Sequence, residues 1–169
     1  MFIAHLPAGY LLTDRMAEGR RQRRSLMAVG LVAAVLPDLD LSWFYLVNER
    51  RTAHHAFVFH WPLFWVALAL VSWLIPKAMR WRGSGLFIAV ALANLLLHMV
   101  LDSVAAEIAW RQPFSDRELN LVEVPARYDW WAWNFVLHWT FALELAITGW
   151  AAITVWCNHR HAQVVRTTP

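Results

Sequence analysis

Residues 56–75 read AFVFHWPLFWVALALVSWLI, twenty positions in which His60 is the one ionisable side chain. At ~1.5 Å per residue, a helix of this length crosses a hydrocarbon core ~30 Å thick. The run therefore predicts a transmembrane helix, and with it an all-α membrane fold whose backbone satisfies its own hydrogen bonds. Working outward, residues 85–105 (GLFIAVALANLLLHMVLDSVA) predict a second span, interrupted by Asn94, His98 and Asp102. Residues 131–157 (WAWNFVLHWTFALELAITGWAAITVWC) predict a third, carrying His138 and Glu144. The apolar stretches 2–13 and 26–36 are too short to span alone and are expected as tilted or partly inserted helices. The expected architecture is a polytopic helical bundle of about five helices, three clear spans and two shorter N-terminal helices, forming a single integral membrane domain over residues 1–169.

Composition agrees with that reading. Of 169 residues, 59% are hydrophobic and 16% are charged, against roughly 25% charged in soluble domains. Twelve Trp and a mean hydropathy of +0.39 exclude a water-soluble monomer, because so short a chain has too little interior to hide that surface. The single cysteine, Cys157, excludes an internal disulfide framework and a thiolate zinc site. No nucleic-acid partner is expected from the net charge of +3, since the arginines gather in short loops between apolar runs. The basic residues follow the first apolar stretch instead of preceding it, so no cleavable signal peptide is expected.

Those loops set an orientation. Residues 15–24 (RMAEGRRQRR) hold five Arg against one Glu, residues 77–82 (KAMRWR) hold three bases, and the tail carries Arg160 and Arg166. All three are expected in the cytoplasm. The acidic loop 106–130, with Glu107, Asp116, Glu118, Glu123 and Asp129 against Arg111, Arg117 and Arg127, then lies outside. Arg50 and Arg51 also fall outside, a deviation the rule tolerates because it is a bias in the sum over loops.

Threaded this way, His5, Asp38, Asp40, His54, His55, His60, His98 and Asp102 reach one depth near the outer surface. His98 and Asp102, four apart, share a helix face. In Pro37-Asp38-Leu39-Asp40 the proline ends a helix and two carboxylates follow, a source of hard oxygen ligands. Imidazole with carboxylate and no thiolate suits zinc, manganese or iron(II). The expected ligands are His5, Asp38, Asp40, His55, His60, His98 and Asp102, with His54, Arg111 and His138 as possible substrate contacts. Asn94 and Glu144 fit plain interhelical hydrogen bonding equally well, Asp38 could simply accept backbone amides at a helix boundary, and His159 and His161 read as solvated.

The ordered set of His5 in AHLPAGYLL, Pro37-Asp38-Leu39-Asp40, His55 and His60 in HAFVFH, and His98 to Asp102 in HMVLD resembles the LexA-regulated, inner-membrane-associated family of metal-dependent hydrolases. It is more distantly similar to zinc-dependent phospholipase C. The resemblance covers roughly residues 1–115. It implies a multi-pass protein of the bacterial inner membrane, with a site facing the periplasm that acts on a phosphate ester or lipid-like substrate. Between His55 and His60 this chain has Ala-Phe-Val-Phe where the family has Arg-Gly-x-Thr, and Trp110-Arg111-Gln112-Pro113 only approximates the family's Trp-Pro turn. Seven candidate ligands exceed what one tetrahedral ion needs, so one or two divalent ions, with zinc foremost, are expected; one of Asp38, Asp40 or Asp102 is expected as bridge or general base, with Asp38 and Asp102 the expected catalytic residues. The alternatives are a metal or proton transporter and a non-catalytic membrane protein with a structural metal site. Oligomeric state is not readable from the sequence.

Overall fold

The computed structural model describes residues 3–39, 57–78 and 84–167. They form six α-helices: α1 (His5–Met16), α2 (Arg23–Val35), α3 (Pro62–Ala78), α4 (Ser84–Asp102), α5 (Trp131–Val136) and α6 (Thr140–Thr167). Single 3-10 turns cover Pro37–Leu39 and Val58–His60. Among the described residues there is no strand, only one antiparallel bridge between Ile108 and Leu119.

Among the described residues two helical segments, Ser84–Asp102 and Thr140–His161, are long and apolar enough to cross a membrane, in place of the three expected. The expected span over 56–75 shortens to the apolar part of α3, Pro62–Ile75. The cause lies in Pro62. A proline disfavours the α conformation at the residue before it, and Trp61 is extended (φ −95°, ψ 109°). Pro62 itself is a good first helical residue, because its missing N–H has no partner in a first turn anyway. His60 and its neighbours are thereby turned out of the helix. The expected span over 131–157 breaks instead at Leu137 (φ −90°, ψ 1°), just before a 3.0 Å hydrogen bond between His138 Nδ1 and Thr140 Oγ1. Such local side-chain bonding competes with helix continuation.

Packing registers give the direction of each helix. Gly9 faces Ala34, and Thr13 faces Gly30, so α1 and α2 run antiparallel. A Cβ on Gly30 would lie 2.0 Å from Thr13 Oγ1, and one on Gly9 would lie 2.4 Å from the Ala34 Cβ and 2.9 Å from Asn94 Oδ1. Small residues are what let membrane helices approach this closely. Asn94 Nδ2 donates to Thr13 Oγ1 at 3.0 Å and to the Val90 carbonyl at 2.8 Å, tying α4 to the same seam. Ala17, Leu26 and Val90 close one end of this three-helix unit, and Ala33, Trp65, Leu95, Met99 and Ile108 pack towards the other.

The last helix lies parallel to α1. Near its start, Glu144 Oε2 accepts the backbone N–H groups of Ile3 (2.5 Å) and Ala4 (3.2 Å). Towards its far end, Asn158 Nδ2 donates to Tyr10 Oη at 3.1 Å and to both Asp14 carboxylate oxygens at 3.2 Å. Between α4 and α5 the chain folds back on the helix ends. Leu121 N donates to the Ser103 carbonyl (2.7 Å), and Trp110 Nε1 donates to Ser103 Oγ (2.8 Å). In this exposed segment the Glu118 carboxyl is pushed upward, by partial desolvation first and then by the charges of Glu107 and Asp116.

Candidate metal centre

Four sequence-distant segments end at the same place. His5 opens α1, Asp38 sits in the turn that ends α2, His60 closes the turn before α3, and His98 and Asp102 occupy the last turns of α4. Asp102 stands between imidazoles: its Oδ1 is 3.0 Å from His5 Nε2, and its Oδ2 is 3.0 Å from His98 Nε2 and 3.8 Å from His60 Nε2. Asp38 approaches from the other side, 3.6 Å from His98 Nε2 and 3.8 Å from His5 Nδ1. The His5 and His98 rings stack at 3.8 Å, inclined by 15°, and the His60 ring lies 5.7 Å from that of His98.

His98 has one orientation consistent with its neighbours. Its Nδ1 lies 2.8 Å from the Ala34 carbonyl, which can only accept, so Nδ1 carries the hydrogen. In the neutral ring that leaves a lone pair on Nε2, aimed at the carboxylates. A backbone carbonyl that fixes the tautomer in this way is the usual support of a metal-binding histidine. Nε2 of His5 and of His98 are buried and make no hydrogen bond of acceptable geometry among the described residues. Imidazoles and carboxylates crowded at such depth are costly unless a proton or a metal cation is shared among them. His5, Asp38 and His98 on one side, and His60, His98 and Asp102 on the other, each offer ligand atoms within 4.8 Å of one another. The donor set therefore fits one or two divalent ions.

Exposure grades across the cluster. His5, His60, His98 and Asp102 are buried, whereas the Asp38 side chain is 33% exposed. Asp38 thus forms the open side. The other expected site residues fare differently. Asp40, His54 and His55 lie outside the described residues. His138 is bonded to Thr140 within its own turn instead of joining the cluster, because the break in the last span holds its ring there. Arg111 is exposed on the turn after the buried Ile108 and Ala109.

Two groups that support the site were not singled out from the sequence as parts of it. The Ala34 carbonyl carries no side-chain signal at all. Glu144, read as an interhelical hydrogen bonder, is 4% exposed and binds the amides just ahead of His5, where a carboxylate is favoured by the helix dipole. It fixes the end of α1 from which His5 projects.

Over residues 1–164 the chain matches a family model described as YdjM inner membrane protein. No curated protein and no solved structure matches it.

Proposed function

The chain belongs to the YdjM inner membrane protein family, and from that premise we propose that it is a metal-dependent hydrolase of phosphate esters or lipid-like substrates. The observation that carries this reading is the convergence of His5, Asp38, His60, His98 and Asp102 at one end of the helices. A divalent cation bound there, zinc foremost with manganese or iron as alternatives, supplies Lewis acidity for a phosphoryl or carbonyl oxygen and acidifies water. His5, His60 and His98 hold it through imidazole nitrogens, with Asp102 as the buried carboxylate that orients them. Asp38, on the open side, is placed to take the proton of the attacking water. Asp40 and His55 complete the ligand set that the sequence suggests.

The periplasmic side is favoured by charge. Arg15 in the last turn of α1, Arg20 and Arg21 after it, and Arg23 and Arg24 at the start of α2 lie at the end opposite the cluster. Lys77 and Arg160, also at helix ends remote from it, lie 4.4 and 4.3 Å from the ring centres of Trp73 and Trp156, as snorkelling bases at an interface do. A transport role needs a polar path onward from the cluster. One to two turns further along, Thr13 and Asn94 are bonded to each other, and Gly9 and Gly30 pack the helices into direct contact around them, which favours a one-sided, catalytic site.

The test is turnover. Purified protein supplied with Zn2+ or Mn2+ is expected to hydrolyse phospholipids or a generic phosphodiester, to stop on chelation and to resume on adding metal back. Asp38→Asn is expected to lower kcat by about 10²–10⁴-fold, the range of a lost general base. Metal-loaded protein inert to every phosphodiester but active on a soluble ester or amide would overturn the substrate class. Metal or proton flux in proteoliposomes without hydrolysis would replace the enzyme by a transporter, and unfolding on chelation with no turnover would leave a structural clamp.

A further inference from the structure

An apolar cavity of ≈ 450 Å³ lies between α2, α3 and α4. Its walls run from Ala28 on α2 to Leu36 just past the end of that helix, from Trp65 to Ser72 on α3 and from Ile88 to Leu95 on α4, and Ser72 supplies their one polar side chain. The side is open, since Val32 is 60% and Leu68 44% exposed. One end of the groove lies towards the His/Asp cluster. Leu36 is two residues before Asp38, Leu95 is three before His98 on the same helix, and Trp65 Nε1 donates at 2.7 Å to the carbonyl of Phe59, the neighbour of His60.

We propose that this groove holds an acyl chain of a membrane phospholipid, with the headgroup at the cluster of His5, Asp38, His60, His98 and Asp102. The proposal rests on the hydrolase reading for what happens to the headgroup, but the occupancy of the groove is a separate matter. The setting, length and polarity of the groove favour this occupant. The groove is set among apolar helices of an inner membrane protein, so lipid is the solvent at its mouth. From Ile88 to Leu95 it extends roughly 10 Å along α4, within one leaflet of a ~30 Å core, so a chain entering beside the cluster stays in the leaflet on that side. The contrast between an apolar trough and a cluster of imidazoles and carboxylates matches an amphiphile, apolar along its length and polar at one end.

The experiment uses the intact protein in phosphatidylethanolamine–phosphatidylglycerol vesicles containing a phospholipid with a diazirine on its acyl chain. After illumination, adducts mapped by mass spectrometry are expected on Val32, Leu68 and Leu92 at least about tenfold above Ile153 and Val155 of α6, a preference worth about 1.4 kcal/mol. Ala69→Phe fills the trough and is expected to remove most of that excess while bound metal stays unchanged. Ala28→Phe, at an exposed groove position, makes the same test should Ala69→Phe not fold. Labelling spread evenly over the groove and α6 overturns the proposal, as does crosslinking of the groove to a second copy of the chain. The two readings fail separately. Groove labelling in protein without turnover sinks the hydrolase and leaves the lipid site; turnover of a soluble diester without groove enrichment does the reverse.

Discussion

Replacing His98 by Ala is expected to weaken metal binding by more than about 100-fold, with the helices kept. His98 Nε2 belongs to both candidate ligand triads, so its loss removes a donor from each, whereas changes to supporting groups alone typically cost 10–100-fold in metal affinity. The fold should survive. The ring lies at the end of α4, while the seam of Gly9, Thr13, Gly30 and Asn94 that joins the helices lies a turn or more away. Asp102→Asn is the volume-conserving companion: it leaves the space filled but removes the negative charge that stands 3.0 Å from both His5 Nε2 and His98 Nε2. Elemental analysis after gel filtration measures the loss, and circular dichroism checks the helices. Thermal unfolding gives a second reading, because metal at about 100 times its Kd stabilises the wild type by about 2.7 kcal/mol and should leave both variants almost unmoved. Metal retained at wild-type level in both would remove these two residues from the site.

The second large effect comes from a position that touches no ligand. Gly9→Ala should lower stability by about 1–3 kcal/mol, the usual cost of overpacking, despite the helix propensity that Ala gains over Gly. The added methyl would meet the Ala34 Cβ at 2.4 Å and Asn94 Oδ1 at 2.9 Å; the Ala34 Cβ cannot swing aside, and the Asn94 amide is held by its bonds to Thr13 and Val90. Relief requires α1 to move away from α2 and α4. His5 is four residues before Gly9, on the same face of α1, and Ala34 is the residue whose carbonyl holds His98. The displacement therefore reaches two ligands together, and metal affinity should fall about tenfold or more. Isothermal titration with Zn2+ beside unfolding in detergent checks both halves. A variant destabilised with unchanged affinity would separate packing from the site.

Much of this arrangement is legible in the sequence because charge in an apolar run is conspicuous. The residues that would otherwise be expensive in a membrane segment, His98 and Asp102, stand out against their surroundings, and alternation of the helices brings His5, Asp38 and His60 to the same end. Element boundaries were less legible where local chemistry overrides hydropathy. The run from Ala56 to Ile75 is apolar throughout but for His60, yet Pro62 forces Trp61 out of the helix, and that same step releases His60 towards the cluster. The last span reads as continuous by hydropathy, yet the break before Thr140 keeps His138 occupied locally. Backbone groups such as the Ala34 carbonyl carry no compositional mark, and neither does the lipid-sized trough, which arises from the spacing of three helices rather than from any residue in them.

The account turns on whether imidazole and carboxylate from these distant segments share a cation. X-ray absorption at the zinc edge, on purified protein loaded with one to two equivalents of Zn2+, addresses this directly. The expected spectrum has only nitrogen and oxygen neighbours at about 2.0–2.2 Å, with the outer scattering of at least two imidazole rings, and it loses part of that scattering in His98→Ala. Zinc bound through sulfur, or a spectrum identical in the wild type and His98→Ala, would contradict it.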